Sequence, residues 1–567
     1  MSETARLPVV LLWHMHQPQY RDALTGEYVL PWTYLHAIKD YVDMAAHLEA
    51  LPAARAVVNF TPLLIEQLEE LAARIAQHLD AGAALPDPVL ALLGPAAVPQ
   101  GDAERLELVR ACLRAQRKTM IERFPAYLEL ATLAETFATP ERIGYAADSF
   151  VHDLAVWYHL AWLGETVRRT DPLVAALTAQ GRAFTGANRR DLLALVGRLV
   201  ASIIPRFRAL SDAGQCELSM TPYAHPIVPL LIDFNAARQA QPTAPLPQGP
   251  YPGGAERAAW HMREGIRIFT TAFGKRPVGC WPSEGAISQE TLELIEKFEF
   301  RWTASSANVL RASLLLSSDP SRSFLPRDFN RPYHLDNARL RCFFRDDELS
   351  DMIGFNYATW RGDDAAANLV NELAAQAQRL AGAPGHVVLI ALDGENAWEH
   401  YPFNGYFFLS ALYAALAAHP ALELTTLAQC AARDPAPATL ARIVAGSWVH
   451  GTLATWMGDA AKNAAWELLC AAKRAFDRTA FDDEAGHAQR SAAERQLALC
   501  ESSDWFWWFG DYNPQDAVRQ FDRLYRRQLV NLYRLLQLTP PENLAQPLCV
   551  GHGAPEHGGA MRRATAG

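Results

Sequence analysis

Three short polar clusters in this chain carry the residue types that acid, base and nucleophilic chemistry require. The first closes an apolar run near the N-terminus, where residues 9–13 are followed by His14, His16 and Gln17. Histidines at i and i+2 of a strand point the same way, so they can share a ligand. A metal would need a third donor, and neither HxxxH nor HExxH occurs to supply it. The second cluster, Trp281-Pro282-Ser283-Glu284-Gly285, sets a carboxylate just past another apolar run, beside a glycine that permits close approach. That carboxylate equally suits the positive end of a helix beginning at Ser288. The third cluster places Asp393, Glu395 and Glu399 with Asn396 and Trp398 at the end of the most apolar run in the chain. Burying such groups without a purpose is costly, and the ligand ladder of a calcium loop is absent. Two carboxylates on different strand ends, one ionised and one protonated, are what cleavage of a glycosidic bond requires.

These residues need elements that bring them together. Apolar runs at 9–13, 56–60, 216–220, 278–281, 301–304, 340–344 and 387–392 have the character of parallel strands buried on both faces. Helical spacing separates them, as in the stripe Leu192, Leu195, Val196, Leu199 and Ile203. Strands alternating with helices predict an α/β fold with a parallel sheet, open or closed as a barrel. In either form functional residues gather at the C-terminal strand ends, where the polar clusters fall. Leu64, Leu68, Leu71 and Ile75 repeat at helix spacing and mark residues 63–145 as a helical insertion. After about 430 the chain reads as mostly helix, with Asn513-Pro514 opening the last long one. The division expected is a catalytic unit at 1–430, a helical domain at 431–545 that closes the site, and a flexible tail at 546–567.

Composition narrows the partners. The chain has 567 residues, a net charge of −10 and no basic block, which argues against nucleic acid or an anionic membrane. Its eight cysteines are scattered without a CxxC pair, so zinc ribbons and redox dithiols have no support. The N-terminus lacks the pattern of a signal peptide, and the longest apolar stretch, 407–418, is too short to span a bilayer. A cytoplasmic location is expected. Aromatic residues concentrate late, at Trp448, Trp456 and the run Trp505-Phe506-Trp507-Trp508-Phe509. Flat rings suit the CH-lined faces of sugars as well as a core. Trp505, beside Asp504, is expected to be a solvent-facing platform.

Taken together, the motifs resemble glycoside hydrolase family 57. His-Gln-Pro after the first run, Trp-Pro-x-Glu-Gly at 281–285 and Leu-Asp-Gly-Glu-Asn-x-Trp-Glu at 392–399 carry the likeness, with Thr221-Pro222-Tyr223-Ala224-His225-Pro226 between the first two. Gly446-Ser447-Trp448 through Trp456-Met457-Gly458, and Ser503-Asp504-Trp505-Phe506-Trp507-Trp508, are similar to the C-terminal signature of the family's amylopullulanase-like branch. The resemblance implies an incomplete TIM-like (β/α)7 barrel followed by a helical domain. It implies a retaining mechanism on α-glucans or maltooligosaccharides, with neither metal nor cofactor. By that likeness Glu284 is the nucleophile and Asp393 the general acid/base. His14, His16, Gln17, His225, Trp281, Arg345, Asp346, Glu395, Trp398, Trp456, Asp504 and Trp505 are the expected substrate-binding residues. The first motif departs from that of the family's branching enzymes, which disfavours branching.

Hydrolysis of α-1,4 linkages, with cleavage of α-1,6 linkages left open, is therefore expected ahead of 4-α-glucanotransfer. Two further readings stay open on the residues: a zinc-dependent barrel hydrolase or deacetylase using His-x-His, and a non-catalytic glucan-binding protein on the aromatic surfaces. In the catalytic reading Asp393 carries the raised pKa, held up by the charge of the facing carboxylate.

Overall fold

The seven apolar runs form strands β1 (Leu7–Met15), β2 (Ala56–Phe60), β3 (Cys216–Met220), β4 (Gly279–Cys280), β5 (Trp302–Ser306), β7 (Arg341–Arg345) and β8 (Val388–Asp393), and three further short strands, β6 (Tyr333–Leu335), β9 (Leu422–Leu424) and β10 (Ala438–Leu440), lie outside those runs. They are seen in a computed structural model that describes residues 6–317, 324–336, 338–381, 385–433, 437–481 and 484–553. The expected tail from 554 onward lies outside the described residues. Seven strands pair in parallel in the order β8-β1-β2-β3-β4-β5-β7, and a β7–β8 pairing closes them into a barrel. The short strands lie at its margins: β6 runs antiparallel to β7, β10 pairs with β6, and β9 pairs with the start of β1.

Side-chain alternation decides what fills the barrel. On β1, Val9, Leu11, Trp13 and Met15 pack against the surrounding helices. Val10 and Leu12 point the other way and join Val57, Trp302, Ala304, Phe343, Leu389 and Ala391 in an inner cluster. Two residues further along each strand the inward register passes to His14 on β1, Asn59 on β2, Arg345 on β7 and Asp393 on β8. His14 is the direct pairing partner of both Asn59 and Asp393. The barrel is thus apolar through its middle and polar at its C-terminal mouth.

The helices between β2 and β3 run from Pro62–Ala81 to Gly186–Asp212, so the insertion extends past the expected end at 145. One of the added helices, Asp148–Ala161, is buried on nearly every side, which hides the one-faced stripe that marks a surface helix. Among the described residues, α-helices Ala460–Arg478, Glu484–Cys500, Ser503–Trp508 and Gln515–Leu535 follow β10. Their second core takes in Tyr20, Leu30, Leu230 and Leu231 from the segments after β1 and β3, which ties the helices to the barrel mouth. Pro514 is the N-cap residue of the last long helix rather than its first helical residue. The Asn513 side chain turns back and donates to the carbonyls of Trp507 (3.1 Å) and Trp508 (2.9 Å), closing the preceding helix. Among the described residues no helix is long and apolar enough to cross a membrane.

Strand β4 is only two residues long, and Gly279 in it lies flat against the buried Trp302 indole. A Cβ at Gly279 would stand 1.8 Å from that ring. Gly279→Ala must displace Trp302 from the barrel interior, and overpacking of this kind costs about 1–3 kcal/mol or more. Denaturant unfolding should show that loss; a midpoint equal to the wild type would contradict the packing described.

Candidate active site

Glu284 sits in a single 3₁₀ turn, Ser283–Gly285, and adopts φ 58°, ψ 22°. Left-handed backbone costs a residue with a Cβ about 1–2 kcal/mol, and strain of this kind concentrates at functional sites. Trp448 holds it in place from two sides. Its backbone N–H donates to the Glu284 carbonyl at 3.0 Å, and its indole Nε1–H donates to the carboxylate Oε2 at 2.8 Å. Glu284 and Asp393, far apart in sequence, line one cleft with His14, His16, Gln17 and Glu395.

Asp393 accepts a hydrogen bond from Asn396 Nδ2 at 2.8 Å. Burial raises its pKa to about 6, against the pull of Asn396, His16 and Arg345, and the charge of Asp504 adds to the rise. The raised value falls on the expected residue, but the expected cause is corrected: burial dominates, rather than a facing carboxylate. Glu395 is pushed well above the carboxylate range by burial first, then by the charges of Asp393 and Asp40. Arg345 crosses behind Asp393 and is itself fully engaged, with Nε on Asp347 (2.7 Å), Nη2 on Asp351 (3.0 Å) and Nη1 on the Ala391 carbonyl (2.9 Å).

The three histidines form one stack. His16 lies over His225 with centroids 3.8 Å apart, and His14 is 5.1 Å from His225. Asn59 Nδ2 donates to Ser219 Oγ, so its Oδ1 accepts from His14 Nδ1 at 2.7 Å. Burial, then the His16 charge, lowers the His14 pKa to about 3, and burial drives His225 well below its usual value. Both rings are therefore neutral. With its proton on Nδ1, His14 accepts at Nε2 from His225 Nε2 (3.1 Å), which leaves His225 Nδ1 to accept from Ser503 Oγ (2.7 Å). His16 Nε2 donates to both oxygens of Asp504, at 3.1 and 3.0 Å.

His16, His225 and Asp504 also form the one cluster among the described residues whose donor atoms lie within 4.8 Å of one another, the spacing a metal would need. The geometry fits hydrogen bonding better. The rings are inclined by only 16°, so their in-plane lone pairs run side by side and do not converge on a point. Both His225 nitrogens are already engaged, by His14 and Ser503.

Several expected site residues lie elsewhere. Trp505 is completely buried: its indole donates to the Leu499 carbonyl at 2.8 Å and packs near Tyr525, so it is core and not a platform. Trp456 is equally buried and packs beside Trp507. Asp346 accepts from Leu349 N–H and Gln376 Nε2 as a helix cap, and Asp351, one turn on, faces the cleft instead. Trp398 lies under the Asp393 loop with its indole bonded to the Gly394 carbonyl, and Trp281 packs edge-on against Trp448. His225 stands behind His16 and outside the cleft lining. Cleft residues outside the expected set include Tyr20, Asp351, Phe355, Asn396, Trp448, Trp507 and Trp508. Most stand in motifs already singled out. Which member of an aromatic run faces the cleft depends on helix phase, and the short helix Ser503–Trp508 gives too few turns to read it.

A closed parallel barrel with carboxylates and histidines at its C-terminal mouth defines a barrel enzyme with the usual placement of its site. The model of glycosyl hydrolase family 57 matches residues 10–441, and the chain belongs to that family. No curated protein matches the sequence. Among solved structures, a branching enzyme from Thermococcus kodakaraensis is similar at 14% identity, covering 93% of this chain and 90% of that one, with a TM-score of 0.57. A branching enzyme from Pyrococcus horikoshii aligns at 16% identity over 97% of this chain and 99% of that one, TM-score 0.57. An alpha-amylase from Thermotoga maritima aligns at 13% identity over 95% of both, TM-score 0.57. At these identities the likeness establishes the fold.

Trp505→Ala should empty a core position and cost about 3–5 kcal/mol of folding stability. A melting temperature close to the wild type, with a raised KM, would return Trp505 to the cleft.

Proposed function

We propose that the protein is a retaining glycosidase acting on α-glucans, with hydrolysis ahead of glucan transfer. The observation that carries this reading is a pair of carboxylates in unlike surroundings on one cleft. Burial holds Asp393 near pKa 6, so that it starts the cycle protonated, while Glu284 accepts the Trp448 indole N–H, a bond that favours its ionised form. Glu284 attacks the anomeric carbon as the glycosidic C–O bond breaks, and Asp393 gives its proton to the departing oxygen. Water then attacks the glycosyl–enzyme ester, Asp393 takes the water's proton, and Glu284 leaves as carboxylate. His16, Gln17, Glu395, Asp504 and the rings of Trp448, Trp507 and Trp508 hold the sugar beside the pair. Family membership supports the glycosidase class, and the named activities of the fold's neighbours support an α-glucan as substrate.

Turnover of soluble starch, pullulan and maltooligosaccharides with product lengths resolved tests the reading. Shorter products alone are expected, and dialysis against a chelator should not reduce their rate. Products longer than the substrate would assign transfer instead, and no turnover at all would contradict catalysis. In the same assay Glu284→Ala should lose every substrate together. Asp393→Ala loses only proton assistance, worth about 10²–10⁴-fold, and should retain substrates with good leaving groups. Equal loss on activated and natural substrates in both variants would overturn the assignment of roles.

The pH profile follows from the same group. Asp393 must be protonated to act as acid, so kcat/KM should fall as pH rises through about 6. Asn396→Ala removes a bond that favours the ionised form, which raises the Asp393 pKa and moves this limb to higher pH. A limb that stays put or moves to lower pH would contradict the assignment.

A further inference from the structure

Two loops line the cleft and then continue outward. After β7, Asp351 and Phe355 face the cleft, and Trp360 follows five residues later, 44% exposed. After β8, Asp393, Glu395 and Asn396 face it, followed by Phe403 and Phe407, which are 39% and 43% exposed. The two loops meet on the outside. Gly362 lies so close to the start of the helix Tyr406–Ala418 that a Cβ on it would stand 2.9 Å from the Phe407 Cβ. The Phe403 and Phe407 rings form an edge-to-face pair 5.4 Å apart. From Phe355 the chain can reach Trp360 within at most about 18 Å, so these rings stand a short way beyond the cleft wall.

Isolated exposed rings are ordinary, whereas neighbouring ones mark a surface that meets something. The turn that presents Phe403 is held against its own backbone preference. Phe403 and Asn404 both adopt φ 54°, in the left-handed region that residues with a Cβ avoid. Asn404 is fixed from beneath, donating to Asp43 Oδ2 at 2.8 Å and accepting from Lys39 Nζ at 2.9 Å. Lys39 and Asp43 are both buried, so this support is part of the interior. Arg123 lies over the Phe403 ring, 4.5 Å from its centroid, and Arg169 over the Phe407 ring at 5.1 Å, both guanidiniums paired with Glu165, so one face of each ring is backed by a held cation. Rings backed on one face and part-exposed on the rest offer an apolar surface that matches the CH-lined face of a pyranose, with guanidinium N–H groups near its hydroxyls.

We propose that Trp360, Phe403 and Phe407 form an outlying platform that binds the part of an α-glucan chain extending beyond the cleft. The proposal rests on the α-glucan reading above and adds to it that long chains are the preferred substrates. Short oligosaccharides fill the cleft alone and gain nothing from the platform.

The test compares the full-length wild type with Trp360→Ala/Phe407→Ala, neither position belonging to the catalytic cleft. On maltooligosaccharides of a few units the two should have equal kcat/KM, which also controls for folding. On long-chain amylose the variant's KM should rise about tenfold with kcat unchanged, the loss of two ring contacts. Retardation of the wild type in native gels containing amylose should be lost in the variant and restored by Trp360→Tyr with Phe407 intact. An unchanged KM on amylose, with normal turnover of short substrates, overturns the platform and leaves the catalytic reading standing. Amylose retardation that depends on these rings in a protein that turns over no α-glucan supports the platform and overturns the catalytic reading. Self-association abolished by the double variant, with amylose kinetics unaffected, would make the surface a protein interface and overturn the proposal.

Discussion

Glu501 lies wholly out of water, and its carboxylate accepts hydrogen bonds from Tyr251 Oη (2.5 Å), Arg257 Nε (2.8 Å) and His261 Nε2 (2.7 Å). Burial by itself would raise its pKa, but Arg257 and His261 outweigh that and hold it at about 2. The three residues immediately after it make the cleft. Ser502 donates to Asp504 (2.5 Å), Ser503 donates its backbone N–H to the His225 carbonyl (3.0 Å), and Asp504 accepts a hydrogen bond from His16 (3.0 Å). His261 also reaches the other side, accepting at Nδ1 from Ala224 N–H (3.3 Å), beside His225. This one buried ion pair therefore sets the C-terminal helices and the loop after β3 in common register over the barrel mouth. Removing either partner would leave an uncompensated buried charge, a loss of about 3–5 kcal/mol.

The same low-dielectric surroundings give other carboxylates the opposite fate. Glu395 is as deeply placed and Asp393 stands partly exposed at the cleft, yet both pKa values rise because burial outweighs the charges that answer them. Arg345, the nearest candidate for Asp393, spends its guanidinium on Asp347, Asp351 and a backbone carbonyl. Arg257 gives Glu501 both Nε and Nη2, and its one other bond goes to the Glu494 carbonyl, so among the described residues no second carboxylate shares it. What separates a structural carboxylate from a candidate acid here is the allocation of arginines, together with the cleft that opens beside Asp393.

Much of this was legible in the sequence because it depends on period and composition. Runs buried on both faces marked the barrel strands, and the two-residue alternation that turns Val10 and Leu12 inward also delivers His14 to the mouth. The carboxylate clusters announced themselves by being costly to bury. The rest depends on phase and on contacts distant in sequence. Nothing local distinguishes Trp505, which is core, from Trp508, three residues on, which lines the cleft. Asp346 resembles a cleft residue until the helix it caps is seen. Asp148–Ala161 hid the true extent of the insertion because a helix buried all round has no stripe. Glu501 looks like any surface glutamate until Arg257, 244 positions away, is found against it.

The central claim is that Glu284 attacks the sugar directly while Asp393 supplies the proton. Its most direct test is the anomeric configuration of the first product, followed by proton NMR during the opening minutes of hydrolysis, before mutarotation scrambles it. Two successive displacements on one carbon must return the α-anomer from an α-glucan. The β-anomer appearing first would mean that water attacks in a single step, and would contradict the role given to Glu284.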